Sequence, residues 1–229
     1  MLSLKMEDQV NRFERYNSFS DMMSYASSCI KYLEEKYGFE FFKKAYSFYT
    51  VPGGRYGRID KTIFEYFYGN RIYQSRLYVY NGKLMRKLCT EIGTTILYQC
   101  NDDGYVSCQL FPAKSENMSP IEDCIFLEMY ISPEKITDYL LEKHFKYFLS
   151  YMQVTSLDGS PTLFDKLKIW WIRFNNPSIV NNIFYPPKRN KVFGGVLKFV
   201  LTVGMSGFVL FFLQKFFEDD IKLFFLFQI

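Results

Sequence analysis

The spacing of apolar and polar positions along the chain changes twice. Met22, Tyr25, Ala26, Cys29, Leu33 and Tyr37 recur at intervals of three and four, which predicts a helix over 20–37 with Ser20 as its cap and Gly38 at its end. A shorter helix over 39–49 follows, stopped by Val51-Pro52-Gly53-Gly54, a run that cannot continue helical backbone. From residue 62 the period is two. T-I-F-E-Y-F-Y, R-I-Y-Q-S-R-L-Y-V-Y and K-L-M-R-K-L-C are separated by Gly69-Asn70 and Asn81-Gly82, the signature of strand, turn, strand, tight hairpin turn and strand. Residues 94–100 and 105–111 flank Asp103-Gly104 as a further hairpin, and 124–130 supplies a last strand. The middle of the chain therefore predicts an antiparallel meander of five or six strands, although 83–88 reads equally as the start of a helix.

Helical spacing then returns. Ser132, Pro133 and Glu134 place a cap, a first-turn proline and an acid at a helix start, and Leu141, Phe145, Phe148, Leu149 and Met152 form the stripe that should cover one side of the sheet. His144 lies on the margin of that stripe, where a packed or half-exposed imidazole is expected; no nucleophile motif or second histidine partners it for catalysis. Ser156-Leu157-Asp158-Gly159-Ser160-Pro161 is turn chemistry and is expected to close the domain. Beyond it, F-D-K-L-K-I-W-W-I-R-F over 164–174 sets Leu167, Trp170, Trp171 and Phe174 side by side at helical spacing, with Lys166, Lys168 and Arg173 among them. A helix lying in a membrane interface fits this pattern, with Trp170, Trp171 and Arg173 at headgroup level beside Lys188, Arg189 and Lys191. A helix whose tryptophans pack onto the domain fits it equally.

Residues 192–213 read V-F-G-G-V-L-K-F-V-L-T-V-G-M-S-G-F-V-L-F-F-L, with Lys198 the single charge. As a helix the run would extend roughly 33 Å, which predicts a membrane span. The basic cluster before it and the lack of a positive excess after it place the preceding domain in the cytoplasm. Gly195, Thr202 and Ser206 lie near one side of such a helix and would form its packing face in a homo-oligomer. The other reading of this run is a buried helix of a soluble oligomer. The expected architecture is α+β: N-terminal helices, a central antiparallel meander covered by a helix, and a C-terminal single transmembrane helix. Its divisions are 1–160 for the domain, 161–191 for a juxtamembrane segment, 192–213 for the span and 214–229 for a tail.

Composition narrows the chemistry. The 229 residues include 19 Tyr and 25 Phe, an aromatic-rich core and surface. The N-terminus has no apolar run resembling a secretory signal. Five irregularly spaced cysteines and one histidine give neither a zinc pattern nor a disulfide framework, so free thiols and no metal are expected. A formal charge of +4 is too small to argue for nucleic acid by itself, and its juxtamembrane part favours anionic lipid as partner. Gly53 to Arg58, G-G-R-Y-G-R, lacks the spacing of a nucleotide loop. Arg55 and Arg58 with Tyr56 offer guanidinium forks and a stacking ring for a nucleic-acid backbone or an acidic partner; a linker role suits the same residues. No hydrolase, metalloprotease or paired acidic motif occurs, and neither enzymatic activity nor a cofactor is expected.

L-F-P-A-K-S-E over 110–116, V-T-S-L-D-G-S-P-T-L-F-D-K-L-K-I-W-W-I-R-F over 154–174 and the apolar run that follows give the chain a layout that resembles the small transmembrane effectors of bacterial antiphage systems, in particular those encoded beside retron reverse transcriptases. The resemblance implies a toxin at the bacterial inner membrane, held inactive by a reverse transcriptase and its nucleic-acid product and damaging or depolarising the membrane on release. The alternative is a membrane-anchored cytoplasmic binding or regulatory module without toxicity.

Overall fold

Alternation along β2 (Ile63–Tyr68) organises the core. Phe64, Tyr66 and Tyr68 point to one side and are fully buried, while Glu65 and Phe67 take the other. β2 is one strand of a seven-stranded antiparallel sheet in a computed structural model that describes the backbone of residues 2–55 and 61–190, with side chains from residue 11, and the single positions Gly194, Lys198, Thr202 and Gly207. The sheet order is β1 (Phe48–Pro52), β2, β5 (Thr95–Cys100), β6 (Val106–Phe111), β8 (Cys124–Ile131), β9 (Ser178–Val180) and β10 (Ile183–Tyr185). Helices α1 (Leu2–Tyr37), α3 (Asp138–Thr155) and α4 (Leu163–Asn175) complete the α+β fold, with α3 packed between α1 and α4. Tyr68 stacks on Phe148 of α3 at 5.2 Å between centroids, and Tyr66 meets the same ring edge-on at 5.3 Å. This aromatic seam joins helix to sheet.

The two strands between β2 and β5 leave the main sheet. β3 (Asn70–Tyr80) and β4 (Lys83–Ile92) pair with each other, and only the two-residue β7 (Lys114–Ser115) adds to them, at Glu91 and Ile92. The expected single meander is therefore a main sheet plus a long arm, and 83–88 is strand. At Gly93, which follows β4, an added Cβ would lie 2.5 Å from Tyr68 Cβ, so the chain crosses back onto β2 where only glycine fits.

Other boundaries also moved. Residues 48 and 49, expected at the end of the second helix, belong to β1, and α2 is only Glu40–Ala45. Pro133 opens a short 3-10 turn (Pro133–Lys135), and α3 starts later with Thr137 in the cap position. The turn at 156–161 links α3 to α4 instead of closing the domain, because Met1–Pro186 forms one compact unit and Pro187–Ile229 a second.

The C-terminal transmembrane helix is corrected. No helix among the described residues is long and apolar enough to cross a membrane. Within 192–213 the described positions are Gly194, Lys198, Thr202 and Gly207, each helical and exposed, and the rest of that expected span lies outside the described residues. A span requires about 20 consecutive apolar residues in one helix. Lys198, exposed within the run, interrupts the apolar sequence that such a span needs.

Candidate interaction surface

Helix α4 is built to present one side. Thr162 caps it in a reciprocal box: its Oγ1 accepts from the Asp165 N–H at 3.2 Å, and Asp165 Oδ2 accepts from the Thr162 N–H at 3.1 Å. On the inner side Ile169 and Ile172 are buried in the core. Beside them Arg173 reaches the buried Glu122, donating from Nε at 2.7 Å and also from Nη2 to the same oxygen. The Tyr151 hydroxyl donates to that carboxylate at 2.8 Å. Burial, and then the Glu122 charge, push the Tyr151 hydroxyl well above its ordinary range, so it remains a donor. Lys168 Nζ donates to Ser150 Oγ on α3 at 2.9 Å. The helix is thus clamped at several points.

The outer side has no such partners. Leu163, Phe164, Leu167, Trp170 and Trp171 all face solvent, the two indoles at 56% and 57% exposure. Positions i, i+1, i+4, i+7 and i+8 share one face of a helix. Phe174 extends this stripe, stacked on Trp170 at 5.6 Å with planes 10° apart. Lys166 and Lys168 stand at the two edges of the apolar arc, the arrangement of a helix that lies in a headgroup layer.

Comparison with protein-family models, with curated proteins and with solved structures finds no match.

The other residues singled out in the sequence are distributed as follows. Arg55 is spent inside the fold: Nε pairs with Glu65 Oε2 at 2.9 Å, Nη2 donates to Thr95 Oγ1 at 2.9 Å, and the guanidinium lies 3.8 Å over the Phe67 ring. Tyr56 and Arg58 lie outside the described residues, as do Lys191, Gly195 and Ser206. Lys188 and Arg189 are exposed in a short helical stretch of the second unit. Thr202 Oγ1 donates to the Lys198 carbonyl at 2.7 Å. Arg173, expected at the membrane interface, is turned inward to Glu122.

Two features were missed. A cleft of about 600 Å³ lies between α2 and β3; of the cations lining it, Lys43 is engaged with the Glu35 carbonyl at 3.0 Å and Arg71 with Glu91. The second is the β3–β4 arm, whose alternating sequence announced a hairpin but not that both its faces would lie outside the core.

Proposed function

We propose that this protein is a peripheral membrane-binding module that docks on an anionic lipid surface through the outer stripe of α4. The observation that carries the reading is the pair Trp170 and Trp171, exposed on a helix whose opposite side is fixed to the domain by Ile169, Ile172 and the Arg173–Glu122 pair. Indoles favour the headgroup layer because one part of the ring is apolar and the N–H is polar. Lys166, exposed at the edge of the stripe, adds attraction to anionic lipid. Preorganisation matters here, since a helix already folded and clamped loses little conformational freedom on docking. No chemistry at the lipid is assigned to the protein; it binds.

In this form the effector reading of a bacterial antiphage system acquires a mechanism. The domain, once released from its restraining partner, would act on the inner membrane from the surface, by wedging α4 between headgroups.

The test is flotation of the full chain with vesicles of mixed phosphatidylglycerol and phosphatidylcholine. Binding is expected with the anionic mixture and much weaker with phosphatidylcholine alone. Trp170→Glu with Trp171→Glu alters only exposed side chains and should lower vesicle affinity at least about 100-fold. Unchanged affinity in that variant overturns the proposal. Depolarisation of cells expressing the intact chain, lost in the same variant, supports the effector form; cells that stay polarised leave a binding module without toxicity.

A further inference from the structure

We propose that the β3–β4 arm is a second lipid-binding element, a rigid wedge whose tip enters the headgroup layer of an anionic bilayer independently of α4. Cross-strand pairing sorts its side chains. Val79 faces Leu84 and Leu77 faces Arg86 on one side, while Tyr80 faces Lys83 and Tyr78 faces Met85 on the other. The apolar residues among these are all exposed, Val79 at 70% and Leu84 at 69%. A hairpin that covers a core is apolar on one face only. This one is apolar on both faces of its tip, and among the described residues no strand pairs with it beyond its root.

Charge selects the occupant. Between residues 72 and 90 stand Arg76, Lys83, Arg86 and Lys87 with no Asp or Glu; Glu116 pairs with Lys87 at 2.9 Å, and Arg76, Lys83 and Arg86 remain without a carboxylate partner among the described residues. A second copy pairing edge to edge would bring these cations together, which opposes self-association. An anionic partner is required. A nucleic acid would use the face of Tyr78, Tyr80, Arg76 and Lys83 and leave Leu77, Val79 and Leu84 in water. A bilayer surface receives both faces at once.

The dimensions agree. The Arg76–Lys87 pair lies four residues behind Tyr80, about 13 Å from the tip at strand rise. Apolar groups sink about 5–10 Å into the headgroup and acyl boundary, so Arg76 falls at phosphate level, beside the Lys87–Glu116 pair, while Lys83 extends its ammonium outward from the tip. The free backbone edges set a limit, since unpaired N–H and C=O groups are not tolerated in hydrocarbon. The arm therefore enters the interface and goes no deeper. Its turn is tight, with Asn81 and Gly82 both in the left-handed region at φ 50° and 72°, which matches the strand twist and keeps the tip narrow.

The test uses the full chain carrying Trp170→Phe, Trp171→Phe and Leu84→Trp, so that the only indole reports on the tip, beside the unaltered chain, whose indoles report on α4. With phosphatidylglycerol and phosphatidylcholine vesicles containing brominated acyl chains, the tip indole is expected to shift to shorter wavelength and be quenched. A second variant, Arg76→Gln, Lys83→Gln, Arg86→Gln and Lys87→Gln, should weaken binding to these vesicles at least about 100-fold. A tip indole that keeps its aqueous emission while Trp170 and Trp171 of the unaltered chain are quenched overturns the arm and leaves α4 standing. A tip indole that is quenched while those of α4 are not supports the arm alone. A response of the tip to a single-stranded oligonucleotide but not to vesicles overturns the proposal in favour of a nucleic-acid surface, and no response of the tip to either also overturns it.

Discussion

Arg71 and Glu91 face each other across the root of the arm, with Arg71 Nη2 at 2.7 Å and Nε at 2.9 Å from the same carboxylate oxygen. That oxygen also accepts from the Tyr46 hydroxyl at 2.7 Å, and the other accepts from the Leu157 N–H at 2.7 Å. Glu91 is 1% exposed. The carboxylate therefore ties the segment after α2, both strands of the arm and the loop after α3 to one point, and Arg71 extends the tie to Asp158 at 2.5 Å. Burial, and then Glu91, push the Tyr46 hydroxyl far up, which keeps it a donor.

Removing Arg71 should leave a buried charge without its counterion. Arg71→Ala is expected to lower unfolding free energy by about 3–5 kcal/mol. Arg71→Lys should recover only part of this, because an ammonium cannot reproduce the fork that reaches Glu91 and Asp158 together. Urea denaturation measures both. A loss below about 1 kcal/mol in the alanine variant would mean that water replaces the guanidinium and that Glu91 is not sealed.

His144 should give the fold an acid-sensitive step. The ring is fully buried, its Nδ1 is 2.8 Å from the Tyr98 hydroxyl and 3.5 Å from Cys108 Sγ, and its Nε2 is 3.8 Å from Glu128, an electrostatic contact rather than a hydrogen bond. Burial lowers the imidazole pKa below its ordinary value, more than Glu128 raises it. An unfolded chain takes up this proton near pH 6.5, the folded one only at lower pH. Between those values the unfolded state holds more protons, so stability falls as pH drops below about 6.5. Glu128, held low by His144 and Lys143, loses its contribution further down, through the carboxylate range. The chain has one histidine. The drop in Tm between pH 7 and 5.5 should therefore shrink in His144→Gln, and an equal drop would assign it elsewhere.

Much of this was legible in the residues themselves. Leu141, Phe145, Phe148, Leu149 and Met152 are all buried, as the spacing along α3 required. The strand at 63–68 follows from alternation alone. Misreadings came where two local signals agreed for different reasons. Phe48 and Tyr49 read as the end of a helix that the following Val51-Pro52-Gly53-Gly54 stops, and the pairing of β1 with β2 decided for strand. Tyr25 fitted the α1 stripe but is exposed, while Ile30 took the inner place, a rotation that only packing fixes. Arg173 illustrates a different limit. Nothing near it in sequence shows that its partner is Glu122, 51 positions away. At 192–213 the apolar count predicted a span that no helix among the described residues provides.

Two glycines should respond differently to alanine. At Gly93 the new methyl would overlap Tyr68 Cβ at 2.5 Å and its carbonyl oxygen at 2.6 Å, backbone and root atoms that cannot step aside. A loss of about 1–3 kcal/mol is expected. Gly82 has open space around it and only the strain of φ 72°, so Gly82→Ala should cost about 1–2 kcal/mol, and Gly82→Asn, which tolerates that region, less. Thermal melts of the three variants test the order. Gly93→Ala melting with the parent would show that β4 can shift away from β2.

The Arg173–Glu122 pair should control α4 without touching its outer stripe. Glu122 is 7% exposed and holds both Arg173 and Tyr151, whereas the Arg173 side chain is 36% exposed. Screening on that side reduces the cost of breaking the pair, so Arg173→Ala is expected to lose about 1–3 kcal/mol rather than the full cost of a sealed pair. The greater effect is local. Ile169 and the Lys168–Ser150 bond would still hold the first part of the helix, while its last turn, carrying Trp170, Trp171 and Phe174 and left with Ile172 as its buried contact, would open more often. Amide exchange should accelerate over residues 170–175 and stay near parental values in α3. Vesicle binding should weaken even though every exposed apolar residue is retained, because a frayed helix must order again to dock. If exchange accelerates and binding is unchanged, clamping is not needed for docking, and the stripe works by its apolar content alone.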